Sequence, residues 1–196
     1  MGGQTLILTG TRGHMLAQLL ERDPSLEKVL WKVRLVPGSI ALYQQAALAF
    51  LAQQYDAGLI LNIGTKVGLS TACLACGAPR ARIVSLEPVP ARVKKARHYL
   101  KRYPNVRVIQ QKSWDYLPKT VGQSWDMIFL DGCHRQVKRD MPWFDRLTRK
   151  GLFLSHDYVP WKFPYVVEAL DSLRKEKPFD VSLIDNKQRG MVGVYK

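Results

Sequence analysis

From residue 58 to the end of the chain, short continuous apolar runs alternate with longer stretches of helical spacing. "GLILNI", "RIVSLE", "VRVIQQ", "WDMIFLD" and "LFLSHD" are each too short for a helix and rich in branched side chains, so they are expected as five buried strands. Between them lie "LSTACLACG", "VPARVKKARHYLKRY", "HRQVKRDMPWFDRLTRKG" and "FPYVVEALDSLRKE", which are expected as helices. The final segment, "FDVSLIDNKQRGMVGVYK", is expected as two strands joined by a polar, glycine-containing turn. Strands and helices in alternation are compatible with few architectures. The most economical is a mostly parallel sheet covered by helices on both faces. Upstream, residues 13–33 and 39–54 carry apolar residues at helical spacing, "VPG" interrupts them, and Ser39 is placed to cap the second helix. The chain is therefore divided into a helical N-terminal extension, residues 1–57, and one α/β domain, residues 58–196.

Sheets of this kind bind ligands at the carboxyl ends of their strands. Gly64, Glu87, Ser113, Asp131 with His134, and His156 with Asp157 all fall at those positions here. In "LNIGTKVGLST" two glycines four residues apart join a strand to a helix, which lets the backbone pass close to a ligand and direct amides at it. Lys66 stands where a dinucleotide-binding loop needs its middle glycine. Glu87 follows the next strand, about twenty residues on, where an acid can accept both hydroxyls of a ribose. The competing structural roles are a helix N-terminal acid for Glu87, a helix cap for Asp131 and a satisfied core histidine for His156.

The net charge is +14, and residues 80–112 hold ten Lys/Arg against the single acid Glu87. Such a field attracts phosphates and nucleic acids, or it simply solvates a face. Three cysteines form no disulfide framework, and Cys73 and Cys76 fall inside a helix, where they are expected as small packing residues. No apolar run is long enough to span a bilayer and the N-terminus lacks a basic region before its apolar stretch, so a cytoplasmic protein without membrane contact is expected.

Taken together, the glycine loop, the acid after the second strand, "DGCH" (Asp131 to His134) and "HD" (His156, Asp157) resemble the class I S-adenosylmethionine-dependent methyltransferases from about Gly58 onward. The resemblance implies a Rossmann-like sheet of seven strands, mostly parallel with an antiparallel C-terminal strand. It also implies S-adenosyl-L-methionine as cofactor. Gly64, Thr65, Lys66, Gly68 and Ser70 then surround its methionine part, Glu87 holds the ribose, and Ser113 and Trp114 meet the adenine. Asn62 occupies the position of an acid in the family, which puts the amino-group contact in question.

Within that class the pattern is similar to metal-dependent O-methyltransferases of the catechol type, which place one acid after the fourth strand and an acid–Asn pair after the fifth. Asp131 and Asp157 match the two acids, while Tyr158 replaces the Asn. The resemblance makes Asp131, Asp157 and His156 candidate ligands for Mg²⁺ or another divalent cation. It makes His134, at the position of the family's basic lysine, the candidate proton acceptor beside Asp131 and Asp157. The expected reaction is O-methylation of a small hydroxylated acceptor. A nucleic-acid substrate, suggested by the charge, and a non-catalytic cofactor-binding protein stay open as alternatives. Trp31, Tyr43, Tyr158, Trp161 and Phe163 are candidates for lining an acceptor pocket or for core or dimer contacts. The N-terminal helices can cover the cofactor or pair two subunits as a homodimer.

Overall fold

A computed structural model describes residues 5–174, 178–185 and 190–196. Its centre is an eight-stranded sheet in the order β1-β7-β8-β6-β5-β2-β3-β4. The strands are β1 (Leu6–Gly10), β2 (Leu59–Ile63), β3 (Arg82–Leu86), β4 (Val106–Ile109), β5 (Trp125–Leu130), β6 (Leu147–Tyr158), β7 (Val181–Asp185) and β8 (Gly190–Tyr195). All neighbouring pairs are parallel except those made by β8, which runs antiparallel to both β6 and β7. The helices are α1 (Arg12–Arg22), α2 (Leu26–Val33), α3 (Leu42–Gln53), α4 (Leu69–Gly77), α5 (Pro90–Leu100), α6 (Ser113–Tyr116) and α7 (Pro164–Arg174). Among the described residues, no helix is long and apolar enough to cross a membrane.

The continuous apolar runs arise because both faces of the sheet are buried. Ile60, Met127, Phe129, Leu152 and Leu154 point into one core, shared with α1 to α5. Their sequence neighbours Leu61, Ile128, Leu130 and Phe153 point into the other, shared with α7 and the segment 134–147. Side chains alternate across a strand, so a strand buried on both faces needs no polar alternation. Helix α3 is buried almost all round, from Tyr43 to Ala52, because α1, α2 and α4 pack around it. Cys73 is fully buried in α4 and its thiol pKa is pushed up by burial, which fits packing rather than redox chemistry.

Three local expectations are corrected. Residues 1–57 are not purely helical: Leu6–Gly10 forms an edge strand parallel to β7, with Leu6 and Leu8 buried and Ile7 outward. The sheet therefore has eight strands rather than seven, and the extension contributes one of them. Residues 134–151 do not form one helix. They make two 3-10 turns, His134–Arg139 and Met141–Arg146, before β6 begins. Pro142 explains the break, since it lacks an N–H and disfavours helical geometry at the residue before it. Ser39 does not cap α3; the Gln44 side chain accepts the Ala41 N–H there instead. The expected C-terminal strand pair is present as β7 and β8, and the turn between them, 186–189, lies outside the described residues.

Candidate active site

Strands β5, β2 and β3 are neighbours, so the segments that follow them meet at one carboxyl edge. The loop after β2 is fixed by main-chain bonds: the N–H groups of Gly64 and Thr65 both donate to Leu86 O, each at 3.0 Å. Asp131 N–H donates to Ile63 O at 2.8 Å, which ties the end of β5 to the same loop. Gly64 has φ +96° and a Cβ there would lie 2.1 Å from Asp131 O, so only glycine permits this approach. Gly68, at φ +111°, precedes α4 and packs on Leu100, with Ser70 buried in the first turn of that helix. Lys66 also takes a positive φ, of 53°, which is uncommon for a side-chain-bearing residue. Its ammonium lies 3.3 Å from Ser39 Oγ, joining the loop to the segment before α3.

Glu87 is 2% exposed, and its carboxylate organises the loop. Oε2 accepts Lys66 N–H at 2.8 Å and Oε1 accepts Val89 N–H at 3.1 Å. Each oxygen keeps a further lone pair for a ligand hydroxyl. Asn62 takes a bracing position. Its amide nitrogen donates to Thr71 Oγ1 at 2.9 Å and Ser85 Oγ at 2.8 Å, and Ser85 Oγ also lies 2.6 Å from Thr65 Oγ1. Asn62 Oδ1 is buried and makes no hydrogen bond among the described residues.

Ser113 opens α6 after β4, and its hydroxyl donates to Asp140 Oδ1. Asp140 is 1% exposed. Burial pushes its pKa up to about 6, against the lowering influences of Ser113 and Arg139. The Arg139 guanidinium sits over the Trp114 ring, 4.5 Å from its centroid. Nothing in the sequence reading signalled Asp140, because its partner is 27 residues away.

Asp131, His134, His156 and Asp157 come together beside the glycine loop. His134 Nε2 lies 2.8 Å from Asp157 Oδ2, and the His134 ring stacks against Phe163 at 4.0 Å between centroids. His156 Nδ1 lies 3.4 Å from Asp131 Oδ1 and 3.2 Å from Asp157 Oδ2. Its other nitrogen, Nε2, lies 3.2 Å from Gln44 Oε1. Asp157 has φ +57° and sits where the pairing of β6 with β8 shifts register, so its carboxylate is aimed by a strained backbone. Burial alone would lower the His156 pKa, yet the two carboxylates outweigh it and push the value up to about 10. Burial likewise opposes charge on Asp157, but His134 and His156 together hold its carboxyl below the usual carboxylate range.

One oxygen each from Asp131 and Asp157 and one nitrogen from His156 all lie within 4.8 Å of one another. His156 Nδ1 is buried and makes no hydrogen bond among the described residues. Two carboxylates converging on a buried nitrogen of this kind fit a divalent cation. Tyr158 does not join them; its hydroxyl reaches Asp171 Oδ1 at 3.3 Å, and its ring packs edge-on against Phe179. Of the other aromatic candidates, Phe163 joins the site, Tyr43 is buried in α3 beside Gln44, and Trp31 and Trp161 are more than half exposed. Gln44 was missed in the sequence because it lies 112 residues from His156.

A family profile described as "Methyltransferase domain" matches residues 61–158. The chain is 34% identical over 125 residues to catechol O-methyltransferase of Mycobacterium tuberculosis, covering 62% of this chain and 57% of that protein. It is 31% identical over 128 residues to catechol O-methyltransferase of Niastella koreensis, covering 62% of this chain and 58% of that protein. The match thus spans under three-fifths of the length of either relative. Among solved structures, the O-methyltransferase from Bacillus cereus in complex with S-adenosylhomocysteine superimposes with a TM-score of 0.68 at 22% identity, covering 93% of this chain and 97% of that one.

Proposed function

This chain belongs to the class I S-adenosylmethionine-dependent methyltransferases, and we propose that it methylates a hydroxyl of a small acceptor at the carboxyl edge of its sheet. The observation that carries the reading is the junction of the β2 loop with Asp131. A loop built for close backbone approach to a ligand abuts the strand end that bears the carboxylate–imidazole cluster. The catechol O-methyltransferase relatives support a hydroxylated small molecule as acceptor.

The cradle fits the donor. Gly64, Thr65, Lys66, Gly68 and Ser70 surround the methionine part, with Asn62 bracing the loop from below. Glu87 takes the ribose hydroxyls, and Ser113 and Trp114 border the adenine, while Asp131 closes the donor site towards the acceptor. The sulfonium supplies an activated methyl group whose leaving group needs no protonation, so the protein's task is alignment and removal of the acceptor's proton. Asp157 accepts the Nε2–H of His134, which leaves Nδ1 with the lone pair that takes the hydroxyl proton. The resulting positive charge then faces the Asp157 carboxylate. Asp131, Asp157 and His156 are the residues that would hold a divalent cation, which would lower the pKa of an acceptor hydroxyl.

Residues 1–57 act here as an extension of the site rather than a separate unit, since Gln44 reaches His156 and Ser39 reaches Lys66. Their arrangement also leaves Leu35 and Leu42 more than half exposed, a face that a second subunit of a homodimer would cover. The test of the reaction is methyl-labelled donor with a panel of catechols. We expect labelled ether and S-adenosylhomocysteine in equal amounts, with His134→Gln lowering kcat at least a hundredfold and leaving the KM for the donor within threefold. Equal turnover by folded His134→Gln would remove His134 as the proton acceptor.

A nucleic-acid substrate rests on one observation. Lys94, Lys95, Arg97, Lys101, Arg102 and Arg107 all face solvent on α5, the turn after it and the neighbouring β4 edge. RNA binding that weakens steeply between low and physiological salt would favour it, and no binding at low salt would end it.

A further inference from the structure

We propose that this chain's cation site selects a first-row transition ion such as Mn²⁺ over Mg²⁺, because His156 Nδ1, oriented by Gln44, supplies one of its ligands. The inference rests on the reading that this edge binds a methyl donor and a divalent ion, and adds the class of metal and the residue that orients its nitrogen ligand.

The two nitrogens of His156 face different partners. Gln44 Oε1 can only accept, and it lies 3.2 Å from Nε2, so Nε2 carries hydrogen. Without a metal, Nδ1 carries the proton that the two carboxylates stabilise, and a cation that displaces this proton meets the lone pair there. That nitrogen is shut off from solvent, makes no hydrogen bond among the described residues and faces carboxylate oxygens at 3.2 and 3.4 Å. Two anionic oxygens converging on this nitrogen call for a positive charge between them, which either the imidazolium proton or a bound cation supplies. Metal-bound histidines show this arrangement: one nitrogen donates to an acceptor that fixes the tautomer, and the other faces the ion.

The buried position of Gln44 supports a fixed orientation. It is 6% exposed in the first turn of α3, where its Oε1 also accepts the Ala41 N–H at 3.2 Å. The imidazole is further bounded by Phe129, whose ring meets it edge-on at 6.5 Å. Meanwhile Tyr158 turns its hydroxyl to Asp171 and so offers no oxygen to this point. Among the described residues, the side chains available are therefore two carboxylates and one imidazole nitrogen. Mg²⁺ takes oxygen ligands and dehydrates reluctantly, whereas Mn²⁺ accepts the same carboxylates and opens the first-row series whose affinity for sites containing nitrogen rises towards Cu²⁺.

The test is calorimetric titration of the full chain with Mn²⁺ and with Mg²⁺, joined to pulsed electron paramagnetic resonance of the Mn²⁺ complex. We expect Mn²⁺ to bind at least tenfold more tightly than Mg²⁺, with nitrogen modulation from one imidazole. His156→Asn, which puts an amide oxygen in place of the nitrogen, should abolish the modulation and reduce the Mn²⁺ preference to less than threefold. Gln44→Leu should weaken Mn²⁺ about 10- to 100-fold, the usual effect of removing the acceptor behind a metal-bound histidine. Gln44→Glu, which keeps the acceptor, should retain the binding.

Equal affinity for the two ions, or nitrogen modulation that persists in folded His156→Asn, overturns the proposal. So does a protein that binds S-adenosylhomocysteine but neither ion; in that case a protonated His156 fills the position itself and the methyltransferase reading survives. Conversely, nitrogen-coordinated Mn²⁺ in a protein that does not bind S-adenosylhomocysteine upholds the metal site and sinks the methyl-donor reading.

Discussion

Glu87→Gln separates what the buried carboxylate does for the fold from what it does for the ligand. In the native chain both oxygens accept main-chain N–H groups, Lys66 at 2.8 Å and Val89 at 3.1 Å. An amide has one oxygen, so whichever way it turns, its NH₂ faces one of those N–H donors. A buried donor left without an acceptor costs about 1–3 kcal/mol. That cost falls on the free and the liganded protein alike, and it should lower the melting temperature by several degrees. Ligand binding loses a different quantity. Hydrogen bonds to a charged acceptor contribute about 1.5–3 kcal/mol against about 0.5–1.5 for neutral ones, so exchanging the carboxylate under two ribose hydroxyls removes roughly 2–3 kcal/mol. The expected result is a Kd for S-adenosylhomocysteine raised roughly 30- to 150-fold by calorimetry. Far-ultraviolet circular dichroism should confirm that the variant is folded. A folded Glu87→Gln protein that binds within twofold of the wild type would refute the ribose assignment, and with it the reason for an acid at this strand end.

Other consequences concern the scaffold. Gly64→Ala places a methyl group 2.1 Å from Asp131 O at a φ of +96°, and is expected to cost about 3 kcal/mol or more and to abolish donor binding. Gly13→Ala, in α1 with nothing within 4 Å, should instead stabilise by about 0.5–1 kcal/mol; comparable losses from both in urea unfolding would contradict the close-approach argument. For Asp140, burial raises the pKa from 3.8 to about 6, so the folded state binds this proton more tightly than the unfolded chain. Its contribution to stability is greatest below pH 4, falls as the pH rises through 6, and at neutral pH amounts to a penalty of about 3 kcal/mol at most. Asp140→Asn should therefore stabilise the protein at pH 7.5 relative to the wild type, with the difference shrinking towards pH 4; a gap that does not change with pH would contradict it.

The positions of β2, β3, β5 and β6 along the chain were legible because these strands are buried on both faces and read as unbroken apolar runs. Once their ends were located, position alone brought Gly64, Glu87, Asp131 and Asp157 to one edge, since parallel strands expose a common carboxyl rim. Strand β1 was harder to see. Its five residues alternate buried and exposed, and its partner β7 lies more than 170 positions away. The helix expected after Asp131 failed at Pro142, whose effect on the 3-10 turns outweighed the apolar spacing. The missing members of the site share one property: their contacts are tertiary. Gln44 meets His156 and Asp140 meets Ser113 across distances that no local pattern encodes. The strained φ of Asp157 was equally silent, because it arises from the register shift between β6 and β8 rather than from residue type.

A crystal structure of the complex with S-adenosylhomocysteine bears on all of these roles at once. It should show the ribose hydroxyls within hydrogen-bond distance of Glu87, the base against Ser113 and Trp114, and the sulfur directed at Asp131, His134 and Asp157. Ligand bound anywhere else on the chain, or bound here with its sulfur turned away from those three residues, would contradict the account.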